Sequence, residues 1–144
     1  MASCNKSIIL SNEEETRSFT RTIAQKIKSN DIITFSGDLG SGKTFMCREI
    51  IQQLCQVTLN VTSPTFNLLQ IYKAPEFIIY HFDLYRINHI EEIYELGIEE
   101  AFHGNVCLIE WPQIIEKILP RPITKIHLQI VENNNRYCRI DYFE

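Results

Sequence analysis

"GDLGSGKT", Gly37–Thr44, decides the reading of this chain. Three of the chain's five glycines fall inside it, and a lysine and a hydroxyl residue follow. The spacing Gly37-x-x-x-x-Gly42-Lys43-Thr44 is that of a phosphate-binding loop, the P-loop. Such a loop wraps backbone N–H groups around a phosphate, which takes φ values that glycine adopts at least cost. A helix starting near Lys43 adds the positive end of its dipole. The pattern assigns Lys43 to the β- and γ-phosphates and the Thr44 hydroxyl to Mg²⁺. Asp38, Leu39, Gly40, Ser41, Gly42, Lys43, Thr44 and Phe45 are therefore the expected nucleotide contacts. The dinucleotide fingerprint G-x-G-x-x-G is absent; the order here is G-x-x-G-x-G.

The flanks agree with the loop. "DIITFSG" predicts a buried strand over Ile32–Ser36 before it. "TFMCREIIQQLCQ" sets Phe45, Met46, Ile50, Leu54 and Cys55 at helical spacing after it. Upstream, Ser7–Leu10 reads as a short strand. Ser11 reads as an N-cap, with Glu14 completing a capping box. Phe19, Ile23 and Ile27 form the apolar stripe of the helix that follows, closed by Asn30 and Asp31. Downstream, "VTSPTFNLLQIY" and "EFIIYHFDLYR" read as strands around the turn Lys73–Glu76. "HIEEIYELGIEEAFHG" reads as a helix interrupted at Gly97. "NVCLIEW" is an apolar run predicting a central strand that ends at Glu110, and Pro112 opens a short helix. "KIHLQIV" and "RYCRIDYF" alternate with period two around Glu132–Asn135, predicting a C-terminal antiparallel hairpin. Alternating elements imply an α/β, three-layer, P-loop NTPase-like sandwich with a mixed β-sheet, as one domain over residues 1–144.

Composition narrows the function. The chain has 144 residues, 44% hydrophobic and 22% charged, ordinary values for a globular domain. A net charge of -4 argues against a broad basic face for nucleic acid. The five cysteines are odd in number and form no C-x-x-C, so neither a disulfide framework nor a zinc site is indicated. The N-terminal apolar run is too short for a signal peptide, and nothing approaches the ~20 apolar residues of a membrane span. The expected location is the cytoplasm, without a membrane partner.

A phosphate loop with a metal needs an acidic residue at a neighbouring strand end. Glu110 stands there, a glutamate where aspartate is more usual; the competing reading is an ordinary exposed strand-end glutamate. In "HFDLY", period two puts His81, Asp83 and Tyr85 on one face and Phe82 and Leu84 on the other. Asp83 is the candidate for the metal's water shell or the attacking water, and His81 for a supporting role. Ser63, Pro64 and Thr65 read either as a switch-like loop or as a turn entering a strand. Arg86 reads as a transition-state cation or as the partner of a nearby glutamate. Trp111, the single tryptophan, reads as a core anchor or as an aromatic moving with the loop after Glu110.

Taken in order, "GDLGSGKTF", "SPTFNLLQIY", "YHFDLYR", "ELGIEE" and "LIEWP" resemble the bacterial tRNA threonylcarbamoyladenosine biosynthesis ATPase family, TsaE (YjeE). The resemblance runs from about Ser11 to Pro112; the last hairpin matches only in general character. It implies an ATP-hydrolysing P-loop subunit with Lys43 and Thr44 at the phosphates and Mg²⁺. Glu110 would sit at Mg²⁺, and Asp83 would be essential near the metal. Thr65 and Trp111 would lie in two switch-like segments, and Ser11 and Glu13, in "SNEEET", would line the adenine side. Phe45 stands where the family often has threonine, and its side chain is expected to face away from the phosphate. The implied partners are a TsaD-type threonylcarbamoyl transferase and its TsaB-type subunit, with tRNA met only through that complex. The implied function is support of threonylcarbamoyl transfer to the adenosine next to the anticodon, with low intrinsic turnover raised by partners. Two other classes stand beside it. One is a small-molecule kinase, although no long arginine-rich insertion offers a lid. The other is a nucleotide-gated binding module in which hydrolysis is incidental.

Overall fold

Every residue of β5, Val106–Glu110, is buried, as are the first four residues of β2, Ile32–Gly37. Strands apolar on both faces belong in the middle of a parallel sheet covered from two sides. The computed structural model, which describes residues 4–56, 64 and 67–144, places them there. β2 pairs in parallel with β5 on one side and with β6, Ile123–Ile130, on the other. β5 pairs in parallel with β4, Ile78–Asp83. Antiparallel strands close both flanks. β3, Leu69–Lys73, lies against β4, and β7, Arg136–Phe143, joins β6 to β1, Cys4–Leu10. The order is β1-β7-β6-β2-β5-β4-β3, a seven-stranded mixed sheet.

Alternation along these strands feeds two cores. On one face, Ile33, Phe35, Leu108 and Ile126 meet Ile23 of α1, Glu13–Ala24, and Met46, Ile50 and Ile51 of α2, Lys43–Cys55. On the other, Ile32, Phe82, Cys107 and Ile109 meet Ile93 of α3, Ile90–Glu95, Ile98 of α4, Ile98–Ala101, and Ile115 of the 3₁₀ helix Pro112–Ile118. The expected α/β sandwich with its mixed sheet and C-terminal hairpin is observed. Gly97, at φ 83°, separates α3 from α4 at the expected break. Among the described residues, no helix is long and apolar enough to cross a membrane.

Local boundaries differ from the sequence expectation. The first cap is Asn12, not Ser11: its side chain accepts from the Glu15 N–H at 2.8 Å, and Glu15 accepts from the Ser11 N–H at 2.8 Å. Glu14 pairs with Arg17 instead. Leu10 is still in register with Arg136 of β7, so the chain uses Ser11 to leave the sheet and caps one residue later. α1 stops at Ala24, and Ile27 packs on the same core from the turn beyond it. Asn30, at φ 76°, and Asp31 close that turn rather than the helix. β1 starts earlier than expected, at Cys4, because it pairs with β7 along its whole length. The strand expected to begin near Val61 is described only from Leu69; residues 57–63, 65 and 66, including Thr65, lie outside the described residues.

Candidate nucleotide-binding site

The sequence after β2 turns back on itself because three glycines take positive φ: Gly37 at 136°, Gly40 at 77° and Gly42 at 115°. α2 starts directly after them at Lys43. Asp38, Leu39 and Gly40 form the exposed crest of the loop, while Ser41 and Lys43 are buried. The Lys43 ammonium reaches back into its own loop, donating to the carbonyls of Gly37 at 2.6 Å and Asp38 at 2.8 Å. Burial lowers its pKa; the charges of Glu110, Asp83 and Asp38 oppose that shift. The same ammonium lies 4.1 Å from the centre of the Trp111 ring, a cation–π contact. Trp111 is not a core anchor. It sits in the left-handed region at φ 58°, immediately after β5, and its N–H bonds the Phe35 carbonyl at 3.1 Å. Its ring tilts against Tyr85 with centroids 4.7 Å apart.

Opposite the lysine stand two carboxyl groups. Asp83 and Glu110 are register partners at the ends of β4 and β5, and both are buried, at 4% and 2% exposure. Glu110 is therefore not an exposed strand-end glutamate. Its Oε1 accepts from the Thr44 hydroxyl at 2.8 Å, and its Oε2 lies 2.7 Å from His81 Nε2. His81 is fully buried, and its Nδ1 has no hydrogen-bond partner among the described residues. Cys47 is also fully buried; burial, then the charges of Glu110 and Asp83, hold its thiol well above its ordinary pKa. Donor atoms of Cys47, His81 and Glu110 lie within 4.8 Å of one another. The His81 bond anchors the Glu110 carboxyl, with Cys47 packed beside the pair. The expected grouping of Tyr85 with His81 and Asp83 fails, because β4 ends at Asp83. Tyr85 turns outward, half-exposed, and its N–H donates to Asp83 Oδ1 at 3.0 Å.

Two cavities flank the loop. One, of about 260 Å³, is lined by Gly40, Gly42, Lys43, Thr44, Asp83, Glu110 and Trp111. The other, of about 430 Å³, lies beyond the loop between α1 and the β6–β7 turn, lined by Ser11, Glu13, Thr16, Asn133, Asn134 and Arg136. Phe45 lines both, half-buried beneath the Arg17 guanidinium at 5.6 Å. The expectation that Phe45 faces away is thus corrected: the turn of helix after Lys43 and Thr44 brings its ring round to the mouth between the cavities. The smaller cavity brings two carboxyl groups and a hydroxyl to one ammonium. Such an oxygen-rich donor set fits a hard divalent cation such as Mg²⁺. The sequence reading missed Arg136, Asn12 and Cys47. Nothing local to "ENNNR" or "MCRE" announces them, since each meets the site only through the folded sheet.

Comparisons with known proteins give the family. Residues 10–139 match the family model described as threonylcarbamoyl adenosine biosynthesis protein TsaE. The TsaE protein of Rickettsia typhi is 56% identical over 131 residues, 91% of each chain. That of Rickettsia bellii is 51% identical over 97% of each chain. That of Bacillus subtilis is 36% identical over 87% of this chain and 78% of its own. The crystal structure of Bacillus subtilis YdiB superposes with a TM-score of 0.82 at 29% identity, covering all of this chain and 88% of that one. A match over nearly the whole length means that this chain belongs to the TsaE family of threonylcarbamoyl adenosine biosynthesis proteins.

Proposed function

We propose that the chain is a magnesium-dependent ATPase that supports threonylcarbamoyl transfer to the adenosine next to the anticodon of tRNA. The observation that carries this is one juxtaposition. Lys43 and Thr44, at the start of α2, face the buried pair Asp83 and Glu110 across a cavity of about 260 Å³. The ATP phosphates would take the smaller cavity, and the adenosine the larger one beside Ser11 and Glu13. Thr44, Glu110 and Asp83 would hold Mg²⁺, which when bound neutralises phosphate charge.

The chain's own residues supply the rest. The loop amides and the α2 N-terminus attract the phosphate oxygens. The Lys43 ammonium, already desolvated, lies where charge grows on the γ-phosphoryl group. Thr44, donating to Glu110, keeps its lone pairs turned away from that bond. Asp83, with Oδ1 fixed by the Tyr85 N–H, orients the attacking water. Trp111 shields the lysine from solvent.

Among the described residues, no arginine lines this cavity. P-loop enzymes without such a cation are slow alone, and one supplied in trans adds roughly 10³–10⁵ in rate. We therefore assign the acceleration to a TsaD-type transferase with its TsaB-type subunit, tRNA being met through that complex. The test is phosphate release by the purified chain, with and without those partners. Slow release that rises on their addition, and that Lys43→Ala abolishes, supports the reading; activity surviving Lys43→Ala rejects it.

A further inference from the structure

The outer side of the phosphate loop is held by the last hairpin. Arg136, the first residue of β7, donates from Nε to the Ser41 carbonyl at 3.0 Å and from Nη2 to the Gly40 carbonyl at 3.3 Å. Its Nη1 donates to the Asn134 carbonyl at 2.7 Å and to the Asn134 side-chain oxygen at 3.1 Å. Asn133 and Asn134, at φ 58° and 60°, curl the turn so that it grips the guanidinium from behind. A planar fork with several donors is thus spread between a fixed turn and two consecutive peptide groups of the loop.

A trans peptide group is rigid, and its carbonyl and the following N–H point in opposite directions. With the Gly40 carbonyl on Arg136, the Ser41 N–H turns away and reaches the Asp38 carbonyl at 3.1 Å. With the Ser41 carbonyl on Arg136, the Gly42 N–H is turned away from the guanidinium as well. The positive charge behind the loop attracts the carbonyl ends of both dipoles. Gly40 and Gly42 have no side chain to restrict them, so without a brace their peptide planes would have to be ordered by the ligand.

We infer that Arg136 is a positioning residue for phosphate binding: its guanidinium fixes the Gly40–Ser41 and Ser41–Gly42 peptide planes, so the loop amides are set before a phosphate chain arrives. This rests on the nucleotide-binding reading above. Arg136 also lines the larger cavity, so the competing role is direct contact with the nucleoside.

The experiment is calorimetric titration of the full chain, in magnesium buffer, with ATP and separately with inorganic tripolyphosphate, which has no nucleoside. Wild type binds both. Arg136→Ala weakens both by the same factor, about tenfold, the scale of lost charge-assisted hydrogen bonds. Arg136→Lys, which keeps the charge but not the fork, recovers only part of that loss for both. Should Arg136→Ala fail to fold, Arg136→Lys carries the test, with an equal, smaller loss for the two ligands. Unchanged affinities, a loss confined to ATP, or a wild type that binds ATP but not tripolyphosphate would each overturn the inference and leave the nucleotide reading standing. A wild type that binds neither ligand removes the nucleotide reading, and this inference with it.

Discussion

Gly37→Ala and Gly40→Ala, two chemically identical changes three residues apart, should differ several-fold in effect. A methyl group at Gly37 would lie 2.2 Å from the Leu128 carbonyl oxygen and 2.9 Å from Ser41 Oγ, where ordinary contact starts at 3.4 Å. Leu128 cannot retreat alone, because it is in register with Gly37 on β2 and with Cys138 on β7. The backbone at Gly37 also sits at φ 136°, outside what alanine adopts without strain. Overpacking costs roughly 1–3 kcal/mol and such strain a similar amount, so the sum is about 2–6 kcal/mol. At Gly40 a methyl group meets nothing within 4 Å, which leaves only the left-handed conformation at φ 77°. That costs about 1–2 kcal/mol. At this chain length these costs correspond to roughly 6–18 °C in Tm for Gly37→Ala against roughly 3–6 °C for Gly40→Ala. Thermal and urea unfolding followed by circular dichroism would measure both. Equal losses, or a larger loss at Gly40, would refute the claim that β6 packs directly behind the start of the loop.

Other consequences are open to direct measurement. Glu110→Gln keeps the shape of the side chain but removes its charge; steady-state phosphate release should fall by roughly 10²-fold or more, while metal-free nucleotide binding stays near wild type. Mg-ATP should change the emission of Trp111, the single tryptophan, by drawing the ammonium from its ring, and Lys43→Ala should lose that change. Burial pushes the Cys107 and Cys138 thiols from 9.0 up to about 12. Between those values the folded state holds protons that the unfolded chain releases, so stability to urea should be full below pH 9 and fall as pH rises towards 12. For the same reason neither thiol should be alkylated by iodoacetamide at pH 8 until the chain is unfolded, as peptide mass spectrometry would show.

The glycine-rich loop was legible because its geometry is local: three glycines needing positive φ, a strand before and a helix after. Glu110 was legible as the polar end of an apolar run. What surrounds it was not. Cys47 and His81 reach the Glu110 carboxyl from α2 and β4, and no spacing in the sequence encodes that meeting. Arg136 lies 95 residues from the Ser41 carbonyl that it holds, and "ENNNR" by itself reads only as a turn. The Ser11 cap was misread by one residue because the length of β1 depends on β7, whose pairing is non-local. Period two grouped Tyr85 with Asp83 until the strand ended and the pattern lost its meaning.

The central claim is that the amides after β2 and the Lys43 ammonium hold a nucleotide's phosphates. Titration calorimetry of the purified, folded chain with Mg-ATP tests it most directly. Saturable binding at one site, lost in a folded Lys43→Ala variant, is the predicted result. Absence of binding to the folded wild-type chain, or undiminished binding by Lys43→Ala, would contradict it.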